Sequence, residues 1–202
     1  YHIGQYNYCA GNPIKFVDID GRLLGDPIKN PEIRQNQASN LFGLVRRNHD
    51  DSVRPHQGFD YYAPEGTDVL AVQDGLVVDV NNNNGDYGKT ITIQHDYNGE
   101  SVYSFYAHLS EISIKYGDSV SENSIIGKSG TSGNANGMTG KDQHLHFELR
   151  TQKENAKGLA GKRNPNEIVD TKFKSADPNN KYQRNVKVIK IEKNEQVHDN
   201  EL

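Results

Sequence analysis

No window of eleven or more residues in this chain repeats its apolar positions with helical spacing. Between residues 41 and 150 the pattern is strand, turn, strand. "TDVLAVQDGLVVDV" (67–80) is a β-rich run broken by Asp74-Gly75, and "KTITIQHD" (89–96) alternates with Ile91 and Ile93 on one face. Asn98-Gly99 is a strong hairpin signal and leads into "ESVYSFYAHL". A turn cluster, "NNNNGDYG", and a Gly-rich loop at 130–143 supply further breaks, and 19 glycines with no Trp suit such a chain. The expected fold is therefore all-β, an antiparallel sandwich or barrel-like sheet.

"HLHFEL" (144–149) carries the same alternation into chemistry. In a strand His144, His146 and Glu148 share one face, and Leu145, Phe147 and Leu149 share the other, the face a core buries. Two imidazoles then point the same way. "RPHQGFD" (54–60) offers His56 and Asp60 with Gly58 between them, a spacing at which a tight backbone lets both face one ion. "FYAHL" (105–109) adds His108, grouped by alternation with Tyr106, while Phe105, Ala107 and Leu109 take the opposite face. Imidazole and carboxylate suit Zn²⁺. His95 shares the apolar-alternating face and reads as a packed structural histidine. His2, His49 and His198 have no partners in the pattern and read as surface residues.

With these motifs in place, the chain resembles the lysostaphin/LytM-type zinc metallo-endopeptidases, which cut peptide cross-links of bacterial peptidoglycan. The signature stands here as "HQGFD", "YAHL" and "HLHFEL". "FGLVRR" (42–47), "APEGTDVLAVQDGLV" (63–77), "DYGKTITIQHDYNG" (86–99), "YGDSVSENSIIGKSGTSG" (116–133) and "RNPNEIV" (163–169) follow in the family's order. The resemblance implies one Zn²⁺ held by His56, Asp60 and His146, with His108 and His144 catalytic and not ligands. It implies the family's open-barrel sheet over residues 41–170. Two neutral imidazoles and one carboxylate would leave the ion a net charge of +1 and one open position. Which of His108 and His144 acts as base stays open. Glu148 is either an orienting partner of a histidine or a surface carboxylate. The 130–143 loop is expected to wall a narrow groove.

Residues 1–25, "YHIGQYNYCAGNPIKFVDIDGRLLG", resemble the end of an Rhs/YD-repeat core, with Ile19 where that pattern usually has Pro. That likeness implies an upstream repeat shell, a toxin role for the peptidase, and a cognate immunity protein. A housekeeping wall-remodelling hydrolase and a non-catalytic envelope module are the alternatives. Residues 26–40 are polar, with two prolines, and read as a linker. Residues 171–202 read as a charged extension in which "VKVIKIE" is either a strand or solvated chain.

Composition narrows the rest. A formal charge of −4 gives no basic stripe for nucleic acid. One cysteine, Cys9, excludes an internal disulfide framework and a cysteine-rich zinc site. No run of about 18 apolar residues is present, so no membrane span is expected. Position 1 is Tyr and the single Met is Met138, so the start is expected to lie within a longer reading frame or after processing. No signal segment is visible, and the expected location is secreted or in the cell envelope. "GKS" at 127–129 lacks the upstream Gly of a phosphate loop, since position 122 is Glu.

Overall fold

The computed structural model describes residues 25–50, 52–180 and 185–191. The Rhs-like stretch falls almost wholly outside them. Thirteen strands make up the described chain: β1 (Gly43–Arg47), β2 (Val53–His56), β3 (Phe59–Tyr62), β4 (Asp68–Leu70), β5 (Gly75–Asn81), β6 (Lys89–Tyr97), β7 (Glu100–Ile112), β8 (Ser119–Val120), β9 (Ile125–Ser129), β10 (His144–Arg150), β11 (Lys162–Arg163), β12 (Lys172–Ser175) and β13 (Val188–Ile191). Every strand pairing is antiparallel, and the helical pieces among the described residues are short 3-10 turns. None is long and apolar enough to cross a membrane. The expected all-β class is what the chain adopts.

The main sheet runs β11-β10-β7-β6-β5-β8, with β3 also on β10, β9 also on β7, and β4 on β9. The Asn98-Gly99 signal is realised as the β6–β7 hairpin, in which both turn residues have positive φ (54° and 81°). Long β7 changes partner along its length. Its residues 103–107 pair with β10, and Leu109 to Ile112 pair with β9. His108 sits at the change.

One face of the sheet buries Ile91, Ile93, Tyr106, Leu145, Phe147 and Leu149, all fully inaccessible, with Phe59 and Tyr61 from β3 against them. Phe173 of β12 meets Phe59 and Tyr61 edge-on, with ring centroids 6.2 Å away in both cases. His95 is buried, as expected of a packed histidine, between the Asp74 carbonyl and Ser104 Oγ.

Two terminal segments pack more closely than their composition suggests. Residues 26–40, read as a linker, are no free tether. Ile28, Ile33 and Ala38 are buried in the core, Ile33 bridges to Tyr61, and Asp26 accepts hydrogen bonds from the Thr171 amide and hydroxyl. Apolar residues five apart among Pro and Asn form no helix or strand period, yet each finds a socket. The segment is a strap. At the other end "VKVIKIE" does supply a strand: β13 pairs with β12, and Val186 joins the core. Strap and hairpin meet where Gln37 bridges to Lys187 and the Ala38 amide donates to the Val186 carbonyl.

Candidate active site

His56 ends β2, and Asp60 lies in β3 directly opposite His146 of β10. Gly58 between them has an ordinary backbone conformation. Its requirement is a contact: a Cβ there would stand 1.9 Å from the Phe147 carbonyl oxygen. The missing side chain lets the β2–β3 corner lie on β10, which brings His56 and Asp60 against His146. The spacing was legible in the sequence, but the cause is this close approach and not turn freedom.

Asp60 Oδ1 lies 3.0 Å from His56 Nε2 and 2.8 Å from His146 Nδ1, and those two nitrogens are 3.3 Å apart. All three side chains are buried, and their donor atoms lie within 4.8 Å of one another. The far nitrogen of each ring is already used. His56 Nδ1 donates to the Leu41 carbonyl at 2.9 Å, and His146 Nε2 donates to Glu148 Oε1 at 3.0 Å. His56 Nδ1 must therefore carry the proton. Burial pushes this ring's pKa down to about 4 against the pull of Asp60, so it stays neutral. A lone pair on His56 Nε2 then faces a carboxylate oxygen at 3.0 Å. Two acceptors at that range call for positive charge between them, which the proton on His146 Nδ1 supplies in the ion-free chain and a metal ion would supply in its place. Donors around a tetrahedral zinc with bonds of ~2.0–2.2 Å stand about 3.3 Å apart, close to the separations found. The residues fit a zinc ion.

Both outer partners are themselves tied down. Burial raises the pKa of Glu148, but His146 and Arg150 outweigh it and hold the carboxyl at about 2. Arg150 Nε donates to Glu148 Oε2 at 2.7 Å, and its guanidinium lies 3.6 Å over the Phe105 ring. Tyr87 Oη donates to Glu148 Oε1 at 3.1 Å. Glu148 is thus a buried orienting partner and not a surface carboxylate. Asp60 Oδ2 accepts from Arg46 Nη2, with Arg34 Nη1 at 3.8 Å. Burial lowers His146 less than its bonds to Asp60 and Glu148 raise it, and its pKa in the ion-free chain is about 9.

His108 reaches the site by a route that alternation misreads. Residues opposite one another across a strand pair share a face. Phe147 faces Tyr106 on the core side, and His146 faces Ala107 on the site side. Strict alternation would send His108 into the core with Tyr106. Between the pairs Ile91–Tyr106 and Lys89–Leu109, however, β7 advances three residues against two of β6. The extra residue is a bulge, and His108 within it has φ +62°. Its ring turns to the site, with its centroid 5.0 Å from that of His144 and 6.0 Å from that of His146. The expected grouping of His108 with Tyr106 is therefore corrected. Tyr106 is core, and its Oη accepts from the Val72 amide.

His108 Nδ1 donates to the Ser132 carbonyl at 3.0 Å, and His144 Nδ1 donates to the Asp142 carbonyl at 2.8 Å. Each keeps Nε2 as an acceptor. Burial lowers the pKa of His108 to about 4, with His146 and His144 adding to the shift. Burial also lowers His144, against Asp60 and with Arg34. Ser132 Oγ accepts from the Lys89 amide and donates to the Leu109 carbonyl, so one residue ties the 130–143 loop to the bulge. Asn134 and Met138 of that loop line the cleft over the five residues, as expected of a groove wall. Tyr87, Arg34 and Arg46 also line it, and none of them stood out in the sequence.

An all-β peptidase fold with a buried His-Asp-His donor set and two further histidines defines a metallopeptidase. Residues 54–157 match the model of peptidase family M23, and the chain belongs to that family, whose metallopeptidases are zinc-dependent. Among its relatives, an uncharacterised metalloprotease of Buchnera aphidicola is 35% identical over 138 residues, covering 67% of this chain and 34% of that protein. The peptidoglycan DD-endopeptidase ShyA of Vibrio cholerae is 40% identical over 97 residues, covering 48% of this chain and 20% of ShyA. The crystal structure of a zinc-containing peptidase from Vibrio cholerae superposes with a TM-score of 0.54 at 25% identity, covering 72% of this chain and 40% of that one. The chain thus spans about a third or less of the length of these curated relatives.

Proposed function

We propose that this chain is a zinc-dependent endopeptidase that hydrolyses peptide cross-links of bacterial peptidoglycan, with the ion held by His56, Asp60 and His146. The observation that carries the reading is the pairing of a closed donor set with two unligated histidines whose free Nε2 atoms share the same cleft. Zinc, when bound, supplies the Lewis acidity that polarises a peptide carbonyl and makes water acidic enough to attack it. His108 and His144 are neutral near pH 7, so either can accept the proton of the attacking water. The ring that takes it becomes an imidazolium, which can hold the developing oxyanion and return that same proton to the leaving amine. Glu148 fixes the orientation of His146, and Arg46 fixes that of Asp60 by occupying Oδ2. The intact set of five residues argues against a binding-only descendant. The peptidoglycan endopeptidases among the relatives support the substrate class.

The assay is release of soluble fragments from purified peptidoglycan by the full chain, with a zinc chelator and His144→Ala as controls. Digestion lost under chelation and in the variant is expected. Digestion unchanged in both, with metal content near zero, would overturn the reading. We further propose that the chain acts in the cell envelope as the toxin part of an Rhs-type protein, with an upstream shell and an immunity protein as partners. The likeness of residues 1–25 supports this. Deletion of the adjacent gene should sensitise the producing cell; a neutral deletion would favour housekeeping wall remodelling.

A further inference from the structure

The cleft over the site has a volume of about 850 Å³, and five cations line it: Arg34, Arg46, Arg47, Arg54 and Lys157. Two carboxylates, Asp60 and Asp86, face them. The whole chain carries a formal charge of −4, so this positive excess is local. Arg46 is committed to Asp60, Asn40 and the Ser39 carbonyl. Arg34 is placed differently. Nη2 donates to Asp142 Oδ1 at 2.9 Å, but that carboxylate is 47% exposed and also accepts from Gln35. Nη1 stands 3.8 Å from Asp60 Oδ2, beyond hydrogen-bond reach. Nε is buried with no hydrogen-bond partner. Asp142 thus pairs with one edge of a largely buried guanidinium, Nε is enclosed, and Nη1 is left beside the reacting groups with no hydrogen-bond partner.

A guanidinium paired along one edge can still take a second carboxylate through its remaining donors. The planar fork of Arg matches a carboxylate in a bidentate fashion. We infer that the cleft selects peptides carrying a free carboxylate beside the bond to be cut, and that Arg34 receives that carboxylate. The position of the cut rests on the endopeptidase reading; the binding does not. Exposed Arg54 and Lys157 add attraction at longer range. A bridge made only of glycine offers no such group within its length and is disfavoured. The strap holds Arg34 in place through the Glu32 carbonyl, which accepts from the Tyr62 amide, and Asn36 Oδ1, which accepts from the Val188 amide. Both contacts involve strap residues outside 54–157, so this selectivity lies beyond the part that matches the family.

The test is a two-by-two comparison of affinity. The probe is the pentapeptide L-Ala-γ-D-Glu-L-Lys-D-Ala-D-Ala, with its carboxylates free or all converted to amides. The protein is the zinc-loaded full chain with His144→Ala, so that turnover is not read, with Arg34 present or as Arg34→Gln. Amidation should weaken binding by at least about tenfold in the Arg34 protein, the scale of a hydrogen-bonded charge pair. In Arg34→Gln the two peptides should bind within about threefold of each other. A damaged fold would weaken both peptides equally and leave their ratio unchanged, and that outcome overturns the assignment. So does equal affinity for the two peptides in the Arg34 protein, or no measurable binding of either. Failure of the endopeptidase reading would show in peptidoglycan digestion and not in these affinities.

Discussion

The two halves of the site are built to different standards of restraint. At the metal end, Asp60 is held by Arg46 and His146 by Glu148, which Tyr87 and Arg150 hold in turn, while His56 rests on the Leu41 carbonyl. At the other end, His108 and His144 each hang from a single backbone carbonyl, in the bulge and on the 130–143 loop side. An ion needs ligands that do not move. A proton carrier needs a ring that stays neutral and can adjust as charge shifts during the reaction. The difference follows from where the residues sit: Asp60 and His146 face each other inside the β3–β10 pairing, whereas His108 lies where β7 leaves β10 for β9 and His144 is the first residue of β10, next to the 130–143 loop.

That contrast can be broken first at its strongest point. His146→Ala should lose both zinc and turnover, whereas His108→Ala and His144→Ala should retain one zinc per chain while kcat falls by about 10²–10⁴-fold. Metal analysis beside a hydrolysis assay separates the two patterns, and loss of zinc from His108→Ala would erase the division. Glu148→Gln should weaken zinc binding by about 10–100-fold, measured by competition with a chelating dye. It should leave kcat at saturating zinc far less affected than His144→Ala does.

The pH dependence of the ion-free chain should divide along the same line. His56, His95 and His108 have folded pKa values of about 4, below the ordinary 6.5. Between these values the unfolded chain binds more protons, so stability falls as pH drops from 6.5 toward 4. His146, at about 9, has the opposite sign: its contribution is complete below 6.5 and is lost as pH rises through 9. Thermal melts with a chelator should therefore peak near neutrality. Zinc should remove the alkaline decline, because the ion replaces the proton on His146 Nδ1. A decline that persists with zinc would contradict that protonation. The smallest effect is expected of Tyr87→Phe, which removes one bond to Glu148 and should cost zinc affinity only a few-fold, about 1 kcal/mol.

Much of this is legible in the sequence alone, and the exceptions share a cause. Strands with strict alternation and a two-residue hairpin state their own geometry, so the β6–β7 pair and the two faces of "HLHFEL" could be read directly. His56 and Asp60 share one short motif, but His146 stands 86 positions from Asp60, and its joining them was implied by the likeness to the family and not by spacing. His108 was assigned the wrong neighbours because a bulge is a relation between two strands and leaves no mark on either sequence. The strap passed for a linker because Ile28, Ile33 and Ala38 follow no period. Glu148 could be an orienting residue or a surface one until its burial was known. Arg34 and Tyr87 sat in polar, turn-rich text, and nothing in their surroundings signals the cleft.

The meeting of the strap with β13 also has a consequence in time. Gln37 and Lys187 are bridged across 150 positions, and Val188 anchors Asn36, two residues from Arg34. On the ribosome the five residues of the proposed site, three for the ion and two beside it, are all made by residue 146. The wall that carries Arg34 lacks its support until the chain has grown past residue 191. The reacting groups can therefore be in place before the wall that chooses their substrate, and full selectivity would be among the later properties a growing chain acquires.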